Sequence, residues 1–227
     1  MESSHHEILD MPSRHYKRPS LSHEDTMVND VEKTMTLVNT MNPGALCLAG
    51  LAIVTMTIGL ANTGTVVDFP PIAIGSCLTV AFISNGLAGI LELRAGNTFS
   101  AVSDICYSCY FLSYGIFLLP GVGGYSAELE KSAKEVGMAE GVFYLPWLMF
   151  AILMFLGTLR QSLITRLIHG LIVIIFSLET IGAFTQLAVL TKVSGWICIM
   201  LSLTCYYTTA SFIYNPSITP ISLPIGV

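Results

Sequence analysis

Charge is what this chain has least of. Asp, Glu, Lys and Arg make up 11% of its 227 residues, against 53% hydrophobic residues, and the mean hydropathy is +0.69. A soluble domain carries roughly 25% charged residues. The deficit therefore argues against a water-facing surface, and a soluble helical bundle fits no better, because its helices would have no polar face to turn outward. Enzyme signatures are also missing: there is no G-x-S-x-G, H-E-x-x-H or phosphate-loop pattern.

A second cysteine pair and a histidine group inside the apolar sequence are lacking too. All six cysteines (Cys47, Cys77, Cys106, Cys109, Cys198, Cys205) fall inside apolar runs. Cys106 and Cys109 have C-x-x-C spacing but no second pair, so they read as small packing residues. Four of the five histidines (His5, His6, His15, His23) lie in the polar first 40 residues and read as solvated tail. No metal or cofactor is expected. That stretch also has no apolar core segment of the kind a cleavable leader needs. The net charge of −5 is spread over tail and loops and points to no nucleic-acid partner.

What the chain does have is long apolar runs. About 20 such residues cross roughly 30 Å of hydrocarbon as a helix. Six runs qualify: Leu46–Val67, Ile72–Leu91, Ala101–Leu119, Val142–Leu159, Leu167–Leu190 and Val193–Ile213. The expected fold is an all-α membrane protein of six transmembrane helices, with the lipid bilayer as its solvent. Residues 1–40 form a disordered tail, 41–214 the transmembrane domain and 215–227 a short extended tail that its prolines keep from being helical. The 121–141 loop, with its mixed charges and helix formers, is expected to hold a short surface helix.

Basic loops tend to stay cytoplasmic. With six spans, one side holds Arg14, Lys17, Arg18, Lys33, Arg94, Arg160 and Arg166, and the other Lys131, Lys134 and Lys192. Both termini are therefore expected in the cytoplasm. Small residues at helical spacing, such as Ser84 with Ala88, Asn85 with Gly89, Gly50, Gly59 and Gly75, allow close helix approach, within one subunit or between subunits.

Two polar corners interrupt this sequence on the cytoplasmic side. In "LELRAGNTFSAV" the left-handed conformation that ends a helix suits Gly96, and Asn97 or Thr98 can cap the next one. In "TMNPGAL" Asn42 is a natural cap and Pro43 fits the first helical position. Both corners present helix N-termini to the same face. They are either simple caps or the start of an anion-attracting mouth. Two carboxylates inside the spans, Asp104 and Glu179, are candidates for proton coupling, each with the alternative of a hydrogen-bonded structural acid. His169 reads as interfacial.

The quoted corners also carry a likeness. "NPGALCLAG", "ANTG", "LAGILELRAGNTF", "FLGTLR", "GWI" and the terminal "LPIG" follow one another as in the acetate uptake transporter (AceTr, YaaH-like) family, and the chain resembles that family over residues 40–227. The resemblance implies a hexameric permease or channel for acetate and succinate in the plasma membrane, with a pore through each subunit. It further implies a narrow apolar constriction, which motif spacing places at Leu51, Tyr107 and Ile172, and a pore-lining amide at Asn85. Leu51 and Ile172 stand where the family has Phe and Leu, and Asn85 where it has Gln.

The leading expectation is thus a small-carboxylate transporter, passive or proton-coupled. Ammonia or ammonium conduction, and a receptor or scaffold that transports nothing, are the alternatives.

Overall fold

The computed structural model describes residues 27, 42–67, 69–121, 132–214, 219–221 and 223–224. Apart from Met27, the expected N-terminal tail lies outside the described residues, as do the first half of the 121–141 loop and most of residues 215–227.

Among the described residues six helical spans follow one another. The first, α1 (Pro43–Thr63), starts on Pro43 and closes on Gly64, whose φ of 64° is left-handed. The second is composite: a 3-10 turn at Pro70–Ala73, a π-helical stretch at Ser76–Ala81, then α2 (Phe82–Arg94). Two prolines at its start supply no N–H, so they fit where no helical carbonyl is yet available. Then come α3 (Thr98–Phe117), α4 (Ala133–Gly157), α5 (Leu163–Thr185) and α6 (Ala188–Ile213).

The structure moves two boundaries. Span four starts earlier than its apolar run, at Ala133 rather than Val142, and the first half of the 121–141 loop, where a surface helix is expected, lies outside the described residues. Ser132 and Glu135 cap each other reciprocally (Ser132 N–H to Glu135 Oε2, 3.1 Å; Glu135 N–H to Ser132 Oγ, 3.4 Å), so the polar turns run directly into the span. The apolar run read as reaching Leu190 breaks earlier. Gln186 takes φ 59° and ends α5, and α6 begins at Ala188. Hydropathy does not register this break, because a left-handed glutamine is a backbone event inside an apolar stretch.

The helices form a ring. α1 packs on α2 and most extensively on α6, α2 packs on α3, α6 on α5, and α5 on α4. The tight α1–α6 seam depends on facing glycines. A Cβ on Gly59 would sit 2.8 Å from the Gly195 carbonyl oxygen, and one on Gly195 would sit 2.8 Å from the Thr63 nitrogen. Ser202 Oγ donates to the Ala52 carbonyl at 2.6 Å across the same seam. The ring closes differently between α3 and α4, whose backbones barely approach. Aromatic side chains fill the gap: Tyr107 on Phe150 (ring centroids 5.4 Å), Tyr110 on Trp147 (5.2 Å) and Phe117 on Phe143 (5.3 Å). Bulky rings hold these two helices apart and leave room inside.

Large apolar side chains cover the outside, Val189 (68% exposed) and Met149 (66%) among them. In water this would be costly; in lipid it is the expected exterior. Five of the spans are long and apolar enough to cross a membrane on composition alone; α3 is not among them. Its serines, tyrosines and Asp104 lower its apolarity, and many of them turn inward.

Candidate functional site

Among the described residues the ring lines three successive cavities, and the order of residues along each helix shows that they lie in series. Along α1 the lining runs from Asn42, Gly44, Cys47 and Leu48 to Leu51, Thr55 and Ile58, and then to Asn62. Along α5 it runs from Ser162, Thr165 and His169 through Ile172 and Phe176 to Glu179 and Gln186, and α6 runs the opposite way. The first cavity measures about 360 Å³, the middle one about 50 Å³ and the last about 240 Å³. Two wide mouths flank a narrow neck.

The neck is lined by Leu51, Ile58, Tyr107, Tyr110, Phe111, Tyr114, Tyr144, Ile172, Phe176 and Leu201, with Asn62 and Glu179 at one end. All three residues assigned to the constriction by resemblance, Leu51, Tyr107 and Ile172, meet here. Thr55 spends its hydroxyl on its own helix, donating to the Leu51 carbonyl at 2.7 Å. The Tyr107 hydroxyl is buried and has no hydrogen-bond partner. An unmade bond on a buried hydroxyl costs about 1–3 kcal/mol, which makes it the natural partner for something that visits the neck.

The N-cap mouth gathers the starts of α1, α3 and α5 at Asn42, Asn97 and Ser162. Asn97 accepts from the Ser100 N–H (3.3 Å) and Ser162 from the Thr165 N–H (3.3 Å), whereas the Asn42 side chain caps nothing. The corner folds as its residues suggest: Gly96 takes φ 80°, and the Asn97 N–H bonds the Glu92 carbonyl at 3.0 Å. Pro43 and Thr98 occupy the first helical positions and lie outside the cavity linings.

The mouth is not simply a gathering of positive helix ends, because Glu92 and Asp104 line it as well. Asn97 Nδ2 donates to Glu92 Oε2 at 2.8 Å, and Cys47 and Asp104 line the same mouth. His169 lies beside them, with Nδ1 3.0 Å from the Thr165 carbonyl and Nε2 3.4 Å from Ser103 Oγ. Since a carbonyl only accepts, Nδ1 carries a proton.

The far mouth is lined by Asn62, Tyr114, Glu140, Tyr144, Glu179, Gln186 and Thr191, among others. Glu179 belongs to both this mouth and the neck. Its Oε1 accepts from Asn62 Nδ2 on α1 (3.0 Å) and from Ser194 Oγ on α6, and so ties three helices together. Oε2 is left as the oxygen able to face the path. Glu179 falls at the centre of the apolar run Leu167–Leu190 but not of the helix that forms there. It lies six residues before the end of α5, about 9 Å from it, and Asp104 lies six residues after the start of α3.

Asn85 departs from its expected place. It is buried (1% exposed) in the α1–α2 contact, next to Ser84 and the backbone of Gly50, and lines none of the three cavities. Other lining residues went unread in the sequence: Tyr110 and Tyr114, which continue the face of Tyr107 at i+3 and i+7, and Asn62, Glu92, Glu140 and Tyr144. The tyrosine spacing was a usable signal. The acids were visible, but their facing was not.

The sequence model of the GPR1/FUN34/yaaH family matches residues 27–226. Among curated proteins, the succinate-acetate/proton symporter SatP of Escherichia coli is 28% identical over 187 residues, covering 82% of this chain and 95% of that protein. The ammonia transport outward protein 2 of Saccharomyces cerevisiae is 24% identical over 167 residues, covering 73% and 59%. The solved structure of the bacterial acetate channel SatP superposes with a TM-score of 0.69 at 26% identity, covering 82% of this chain and 99% of that one.

Proposed function

The chain belongs to the GPR1/FUN34/yaaH family, and from that premise we propose that this integral membrane protein carries small carboxylates such as acetate through its own helical ring. The observation that carries this reading is the series of wide mouth, 50 Å³ apolar neck and wide mouth. A carboxylate reaching the neck must shed water, and the apolar walls disfavour small hydrated inorganic ions. The unpartnered Tyr107 hydroxyl gives a dehydrated carboxyl group one hydrogen bond. Glu179, at the junction of neck and far mouth, is the side chain that can hand over or take up a proton as the substrate passes.

Both termini in the cytoplasm, a plasma-membrane location and six copies per assembly, each with its own pore, complete the proposal. The charge bias of the loops supports the orientation, and the family resemblance supports the assembly. No chemical step is assigned. Ammonium is the second reading, because four carboxylates line the mouths and six aromatic rings line the neck, a combination that suits a small cation. A scaffold that transports nothing has no use for the series of cavities.

The test is uptake of labelled acetate into liposomes holding the purified protein, with and without an inward proton gradient. Saturable uptake accelerated by the gradient is expected, with the acceleration lost in Glu179→Gln. Absence of acetate flux contradicts the reading, and a flux carried by ammonium in its place moves the assignment to the second. Acceleration that persists in Glu179→Gln removes the proton role from that residue.

A further inference from the structure

We infer that the charged lining of the path makes this chain select carboxylic acids bearing at most one charge and turn away dicarboxylate dianions, with Asp104 and Glu179 as specificity-determining residues. The inference rests on the carboxylate reading above and narrows its substrate class. Acids occupy both mouths: Glu92 and Asp104 at one, Glu140 and Glu179 at the other. No lysine or arginine lines either mouth or the neck among the described residues. The one basic side chain in the lining, His169, already has Nδ1 engaged by the Thr165 carbonyl and Nε2 beside the Ser103 hydroxyl.

The neck supplies an independent constraint. It holds one carboxyl side chain, Glu179, and one buried hydroxyl with no partner, Tyr107. A single proton from Glu179 can neutralise one substrate carboxylate. A second would enter the neck still ionised, among leucine, isoleucine and aromatic walls. A monocarboxylate thus crosses the neck neutral, whereas a dicarboxylate keeps one ion there and carries the several-kcal/mol penalty of burying it. The mouths add to this. One extra like-charge contact at about 8 Å and an effective dielectric constant of about 20 corresponds to roughly a thirtyfold loss.

The positions of the acids fit this role. Glu179 is fixed by Asn62 and Ser194 at the inner edge of the far mouth, and Asp104 lines the other mouth one turn before Tyr107. A substrate therefore meets a carboxylate immediately before the neck from either direction.

Charge and length can be separated with two competitors of the same carbon chain, succinate and its monomethyl ester, added to the acetate uptake assay at a pH where both succinate carboxyls are ionised. The ester should inhibit acetate uptake at least about tenfold more effectively than succinate. In Asp104→Asn, which keeps the side-chain shape, inhibition by succinate should strengthen several-fold more than inhibition by the ester, so that the gap between the two compounds narrows. Equal inhibition by the two compounds in the unsubstituted protein overturns the inference and leaves the carboxylate reading standing. Inhibition by neither also overturns it, since length then decides. No change in Asp104→Asn overturns the assignment to the mouth acid. Failure of acetate uptake itself removes the carboxylate reading and the inference together.

Discussion

A glutamate at each mouth of the path, Glu92 at one and Glu179 at the other, is hydrogen-bonded, and the two are held in opposite ways. At the N-cap mouth Glu92 is bonded within its own corner, to Asn97 five residues on, which also bonds Ser100. At the far mouth Glu179 is bonded across the ring, to Asn62 and Ser194 on two other helices. A locally held acid can be changed with little effect beyond its turn. An acid held by three helices is part of how those helices meet, so the far mouth joins its chemistry to the assembly of the bundle.

The largest effect should follow from Glu179→Ala, which leaves the Asn62 amide and the Ser194 hydroxyl without their acceptor. A loss of about 3 kcal/mol is expected, read as a lowered unfolding temperature in detergent. Next comes Gly195→Ala. Its Cβ would lie 2.8 Å from the Thr63 backbone and 2.9 Å from the Gly59 carbonyl, next to both partners of Glu179. Overpacking of this kind costs about 2 kcal/mol, and the account has it disturb proton-accelerated uptake as well as stability. Glu92→Ala should cost no more than about 1 kcal/mol, because Asn97 keeps Ser100. Glu92→Gln should stay within about 0.5 kcal/mol. If the alanine variants at positions 92 and 179 lose equal stability, the contrast between the mouths is wrong.

Much of the architecture was legible in the sequence for a plain reason. A lipid exterior makes hydropathy a direct record of spans, and Gly96, Asn97, Asn42 and Pro43 mark helix ends by local backbone chemistry. Leu51, Tyr107 and Ile172, picked out by their distance from recognisable motifs, line one narrow cavity. The errors came where local pattern has no hold. Gln186 breaks an apolar run without glycine or proline. Ser132 and Glu135 join a polar loop to a span. Asn85 carries the right chemistry for a lining amide, but it is turned into the α1–α2 seam by the close approach at Gly50. The partners of Glu179 stand 117 and 15 residues away, and only the order of helices around the ring brings them together.

Carboxylate transport through the ring requires the narrow neck to be the conducting path of each chain. Its most direct test is acetate uptake by Tyr107→Trp, which puts a larger ring into a cavity of about 50 Å³. Uptake should fall at least about tenfold while the unfolding temperature stays near that of the unsubstituted protein. Undiminished uptake by a folded Tyr107→Trp protein would mean that the substrate does not pass through this neck, and the path described here would be wrong.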